Sequence, residues 1–278
     1  MTAALKSEFR KLFSTRMWWI LMICAAGYLA FMGLLMSFSF EMALRSTAEI
    51  TSQGGATMEA GPLLPEGGAL ARMIYSMAGS FAYAFPLLIG ALSVTQEYRH
   101  KTITPTFLAD PRRYVVLGAK MIASLPMGFL YGLVCVAATA LPAALVLELM
   151  GGDAGLGQAS TWSFLGRALI DFTLWASVGV GLGSLITNQV ALIVVVLAET
   201  QALEPILRTL PPMINQDWAW TRFLPGSVGD AIQGTSLYEV MGTSTGALPW
   251  GWAVVVMVGW AVVLAGVGYA AQFRRDVS

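Results

Sequence analysis

Apolar residues fall in long blocks along this chain, and polar residues collect in the gaps between them. A helix needs about 20 apolar residues to cross a bilayer. Six blocks meet that length, at 17–40, 70–94, 114–149, 164–186, 190–209 and 250–273. The third is longer than one crossing and holds Pro126 and Pro142, so it is expected to tilt, kink or run past the bilayer. Pro86 is expected to kink the second. Only Thr187, Asn188 and Gln189 separate the fourth from the fifth, a tight turn between antiparallel helices. The fifth is clean over 190–198 and is then interrupted by Glu199 and Glu204.

Residues 1–16 precede the first block. Leu5, Phe9, Leu12 and Phe13 recur at helical spacing, with Lys6, Arg10 and Lys11 assigned to the other face. This pattern predicts an amphipathic helix in a membrane interface. The plainer alternative is a basic flank before a first span; two Phe residues on the apolar side favour the helix. The following run is too long for a signal-peptide core of about 7–15 residues. A lipoprotein site at 21–24 fails because Ile23 is too large and the run continues past Cys24.

The gaps differ in charge. Residues 41–70 carry Glu41, Glu49, Glu59 and Glu66, with Arg45 as their basic residue. Residues 150–162 are Gly-rich, and 210–248 combine prolines with aromatics, as expected of short helices on an outer face. The gap at 95–113 is basic. Lys6, Arg10, Lys11, Arg16, Arg99, Lys101, Arg112, Arg113, Lys120, Arg274 and Arg275 fall on one side of a six-span arrangement. Arg45, Arg72, Arg167, Arg208 and Arg222 fall on the other. Basic residues favour the cytoplasmic side, so both termini are expected there. Arg72 is expected to snorkel outward.

Within 95–113 lies a short helix candidate. Thr104 is expected to cap it, Pro105 to occupy its first position, and Asp110-Pro111 to end it. Ile103, Phe107 and Leu108 give it an apolar content that a solvated loop does not need.

Composition agrees with a membrane protein. Charged residues make up 12% and apolar residues 56%, against roughly 25% charged in soluble domains. Mean hydropathy is +0.68 and net charge is zero, so bulk charge argues for no nucleic-acid partner. Cys24 and Cys135 both fall inside apolar blocks, and His100 is the sole histidine. Cys/His metal spacing is absent. No nucleophile has a partner His, and no phosphate-binding G-x-x-x-x-G-K-[ST] loop is present, so the chain is expected neither to be an enzyme nor to hydrolyse ATP itself. We therefore expect one all-α polytopic domain over 1–278.

Three intramembrane features carry possible chemistry. The stretch ASVGVGLGS, with Gly179, Gly181 and Gly183, reads as close helix packing through small residues. Arg167 and Asp171, four apart, are expected to pair on one helical face. Glu199 and Glu204 are costly at membrane depth. Either they line a pathway and contact a cationic substrate or gate it, or they sit at a solvated outer mouth.

The chain resembles the permease subunits of type-2 ABC exporters. Four features carry the likeness in order: SEFRKLFSTRMWW, QEYRHKTITPTFLADPRRYVVLGAK, the short turn between spans four and five, and the outer region containing FLPGSVGDAI. The resemblance implies a connecting helix bearing Leu5, Phe9, Arg10, Leu12 and Phe13. It implies a coupling helix over Ile103, Thr104, Phe107, Leu108 and Asp110, oriented by ion pairs of Glu97, Arg99, Arg112 and Arg113. It further implies two copies of a separate ABC ATP-binding subunit, which would hold ATP and Mg, and a second permease chain, as a homodimer or a mixed pair. The cargo implied is a hydrophobic or amphipathic compound, peptide or drug, exported across the cell membrane. The rival reading is an ATP-independent secondary transporter or channel.

Overall fold

The computed structural model describes residues 2–52, 65, 67–109, 111–214, 218–235, 238 and 247–273. The expectations placed on Asp110, Arg274, Arg275 and most of 236–246 lie outside them. Among the described residues the secondary structure is helical, without strands.

The α-helices with described bounds follow in order: α1 Thr2–Ser14, α2 Met17–Ser52, α3 Gly68–Ala82, α4 Ala84–Arg99, α5 Ile103–Ala109 and α6 Arg113–Leu149, then α7 Ala159–Leu185, α8 Gln189–Ala198, α9 Glu204–Ile214, α10 Pro225–Gln233 and α11 Trp250–Gly268. A π-helical turn, Glu199–Leu203, joins α8 to α9, and another, Tyr269–Phe273, follows α11. Among the described residues, six stretches are long and apolar enough to span a membrane: Met17–Glu49, Gly68–Arg99, Arg113–Leu149, Ala159–Leu185, Gln189–Leu210 and Trp250–Gln272.

The spans depart from expectation at their ends and breaks. The first does not stop at Phe40. Its helix continues because Glu41 and Arg45 pair one turn apart and Arg45 also caps the Met150 carbonyl. At 1.5 Å per residue α2 and α6 are each about 55 Å long, well beyond a ~30 Å hydrocarbon layer. Pro126 and Pro142 lie inside α6, which stays one helix. The second span breaks at Tyr83, between Ala82 and Ala84. Pro86 explains the place: it has no N–H for the Ala82 carbonyl, and its ring crowds that carbonyl.

α7 is the axis of the bundle, with α4, α6 and α11 packed around it. Small residues let the backbones meet, as the ASVGVGLGS stretch predicts. A methyl group added at Gly179 or Gly183 would run into the Leu87 or Ala91 carbonyl of α4, and one at Gly90 into the Ala176 carbonyl of α7. Gly181 faces α11 instead, against the Ala261 carbonyl. The main core follows this axis, with Trp175, Leu87, Leu92, Val196, Ile232 and Met257 among its buried residues.

The segment expected on the outer face is partly buried in the bundle. A 3-10 turn, Ala219–Phe223, leads into α10, of which residues 226 and 228–233 are buried. The Phe223 carbonyl accepts from Trp260 Nε1, ten residues into α11. The chain therefore turns back into the bundle, and α10 runs along α7 toward Asp171 and Arg167, ending at Gly234 in a left-handed cap (φ 88°).

Candidate functional site

Two buried polar clusters stand out, one at the end of the bundle that carries α1 and α5, the other about 22 Å higher, counting 1.5 Å per residue along the spans.

The first begins with how α4 ends. Thr102 N–H donates to the Glu97 carbonyl at 2.9 Å and Lys101 N–H to the Tyr98 carbonyl at 3.2 Å, while Lys101 takes φ 56°. This Schellman turn, with Lys where Gly is usual, fixes the direction in which α5 leaves. The helix begins at Ile103, and the Thr102 carbonyl accepts from the Thr106 N–H and hydroxyl. Thr104 is thus not its cap: the Schellman turn closes at Thr102, so helical geometry starts two residues early. Pro105 lies at the third helical position, where its missing N–H still costs nothing.

Ile103 and Phe107 are buried in their own chain, against Val94, Val116, Leu117, Val180 and Ala265. The Arg113 guanidinium stands 5.0 Å from the centre of the Phe107 ring. Leu108 points away, 81% exposed, beside exposed Thr104 and Pro105. The three apolar residues of α5 therefore divide into a seat and an outward tip.

Glu97 does not orient α5 through a surface ion pair. Its Oε1 lies 2.8 Å from Lys120 Nζ and 2.7 Å from Lys11 Nζ. Glu8 Oε2 meets Lys120 at 2.5 Å and Glu8 Oε1 meets Lys11 at 2.7 Å. Lys11 also reaches Thr106 Oγ1 at 3.3 Å. Two carboxylates and two ammonium groups thus join α1, α4 and α6, with α5 attached through Thr106. Lys120 is 2% exposed, a charge tolerable at that depth only because it is paired. Burial works against the Lys11 ammonium, but hydrogen bonds and charge from Glu8 and Glu97 outweigh it, so its pKa stands above the ordinary lysine value.

Lys11 thus faces inward rather than lying on the solvent side of α1. Glu8 completes the group although its place among basic residues gave it no prominence. The available signal was its position: Leu5, Glu8 and Leu12 share one helical stripe, so an acid stands in an apolar row. Lys120 shows the same signal between Ala119 and Met121. Elsewhere on α1, Leu12 is buried, Leu5 and Phe13 are half-buried, and Phe9 and Arg10 are exposed. Arg99 donates to Gln189 Oε1 at 3.1 Å, Arg112 is exposed, and His100 lies on a cleft of about 250 Å³ between α1 and α4.

The second cluster gathers on the returning chain. Glu204 is 1% exposed. It accepts from the Gly226 N–H and, at 3.0 Å, from Tyr83 OH, which is aimed inward by the break in span two. Arg208 pairs with Asp230 and covers the Tyr238 ring at 3.9 Å. Asp171 accepts from Gln233 Nε2 at 2.7 Å. This corrects the expected Arg167–Asp171 pair: α10 supplies a nearer donor, and Arg167 lies over the Trp250 ring at 5.4 Å. Arg72 donates to Gln158 and Ser160. Glu199 stands one π turn before Glu204, whose N–H donates to the Glu199 carbonyl. Among the described residues no group of three or more metal-ligating side chains occurs.

No family model matches this chain, and no curated protein matches it.

The functional reading therefore rests on these two clusters. The first makes one body of α1 and α5, with Leu108 facing out. The second gathers more carboxyl groups than Arg208 can pair, on and between helices long and apolar enough to span a membrane, where unpaired charge is expensive.

Proposed function

We propose that this chain is the permease subunit of an ATP-driven exporter of the type-2 ABC class, with ATP bound and hydrolysed by a separate subunit. One observation carries the reading: α5 is clamped through Ile103, Phe107 and Thr106 while Leu108 projects from it. A rigid, seated knob with an exposed apolar tip suits the groove of a soluble partner and can transmit force. In this reading α5 is the coupling helix, α1 the connecting helix, and the end bearing both is cytoplasmic. Two ATP-binding subunits would dock there, and a second permease chain would complete the pore in the cell membrane. The cargo would be hydrophobic or amphipathic.

The test is purification in mild detergent from the native host. A stoichiometric ATPase with vanadate-sensitive hydrolysis is expected. Leu108→Asp should release that partner with the permease still folded, whereas Phe107→Ala should unseat α5 itself. A lone protein without nucleotide hydrolysis would instead favour the second reading, an ATP-independent carrier. That reading draws on the acid cluster of Glu199, Glu204, Asp171 and Asp230.

A further inference from the structure

Among the described residues, Lys101 alone has a positive φ without being glycine, at 56°. The left-handed region strains a residue that carries a Cβ, and a helix that ends in this turn usually has Gly there. Nothing within the chain offsets that strain. Lys101 is exposed, and its ammonium makes no hydrogen bond or ion pair among the described residues. Asn tolerates the same conformation and would close the turn without the charge.

The surroundings of α5 are one-sided in charge. Lys6, Arg10, Arg16, Arg99, Lys101 and Arg112 are exposed at this end of the bundle. The two described acids there, Glu8 and Glu97, are buried and paired with Lys11 and Lys120. In the sequence of 95–113, Glu97 and Asp110 stand against Arg99, Lys101, Arg112 and Arg113. Leu108 is 81% exposed on a helix that lies between two spans rather than in one, so hydrocarbon does not account for its exposure.

We propose that Lys101 and Leu108 form a two-point contact for an acidic groove on the ATP-binding subunit, in which a carboxylate takes the Lys101 ammonium and an apolar floor takes Leu108. The inference deepens the reading of α5 as a coupling helix and rests on it. The strain held at Lys101 in the free chain is then offset in the complex. A lipid surface is the other anionic candidate. It attracts clustered charge whatever the backbone geometry. It therefore gives no reason to hold one lysine in a left-handed turn, when Lys6, Arg10 and Arg112 present charge without one.

The test uses the whole permease in lipid nanodiscs and the ATPase that co-purifies with it. Lys101→Gly and Lys101→Asn remove the charge and keep the turn. Each should bind the ATPase about fivefold more weakly at low salt, whereas Lys101→Arg should bind as the parent does. The difference should narrow near 1 M salt, where the screening length is about 3 Å. For the permease alone, Lys101→Gly should raise the thermal transition by about 2–4 °C. A water-soluble carbodiimide should join Lys101 of the parent to an Asp or Glu of the ATPase. Unchanged affinity in Lys101→Gly overturns the proposal and leaves the coupling-helix reading standing, which Leu108→Asp tests separately. A lower thermal transition in Lys101→Gly also overturns it, because the lysine then serves its own chain. An affinity loss seen only in nanodiscs that contain anionic lipid assigns Lys101 to the membrane surface and overturns it as well. If no ATPase co-purifies with the parent, both readings fall.

Discussion

Lys120 on α6 and Glu8 on α1 meet at 2.5 Å with almost no solvent access, although 112 residues separate them. Such a pair adds little net stability, because both charges lose their hydration. Breaking one side is another matter. Lys120→Met leaves Glu8 and Glu97 buried with Lys11 as their remaining cation. We predict a loss of about 3–5 kcal/mol, read as an earlier thermal transition in detergent. The combined change Lys120→Met with Glu8→Gln should recover part of it; strictly additive losses would argue against a coupled cluster.

Lys11 gives the cluster a pH limit. Its pKa is raised in the folded protein above the value of 10.5 usual for lysine. The stabilisation it provides is therefore fully present below that value and is lost as pH rises through the folded pKa. The protection of the α1 amides, taken relative to the intrinsic exchange rate at each pH, should hold across neutral pH and fall only above about 10.5. Lys11→Gln should show fast exchange already at neutral pH. Protection lost already near pH 8 would assign control of α1 to another group.

Two glycines of α7 should respond oppositely. Gly179 abuts the Leu87 carbonyl, so Gly179→Val has to push α4 and α7 apart and is expected to abolish the folded species on gel filtration. Gly166 has open space where a methyl group would go. Gly166→Ala should be neutral or stabilising by up to about 1 kcal/mol through helix propensity. Equal behaviour of the two variants would mean that backbone proximity is not what Gly179 provides.

The six spans, the amphipathic first helix and the small-residue seam were legible because each is a local pattern of period 3.6 or of block length. The Glu8–Lys120 and Asp171–Gln233 contacts were not, because residues 112 and 62 apart leave no mark in periodicity. The returning segment was hidden by its composition: FLPGSVGDAI is too short and too polar to read as a membrane element, and burial comes from the walls that α3, α7 and α11 provide. The π turn was equally hidden, since one extra residue in a helix shifts a pattern without erasing it. Leu108 shows the converse. Its apolar character placed it beside Ile103 and Phe107 in the sequence, yet it points the other way.

Helix α4 has α5 at one end and Tyr83 at the other, and its middle is locked to α7 with no side chains between the backbones. It is a lever with a fulcrum near Gly90. Sixteen residues make it about 24 Å long. A tilt of about 5° about that point moves the Tyr83 end, about 10 Å away, by about 0.9 Å, enough to stretch a hydrogen bond such as Tyr83–Glu204, 3.0 Å long, out of range. A push on α5, whatever delivers it, arrives at Glu204 as a bond made or broken.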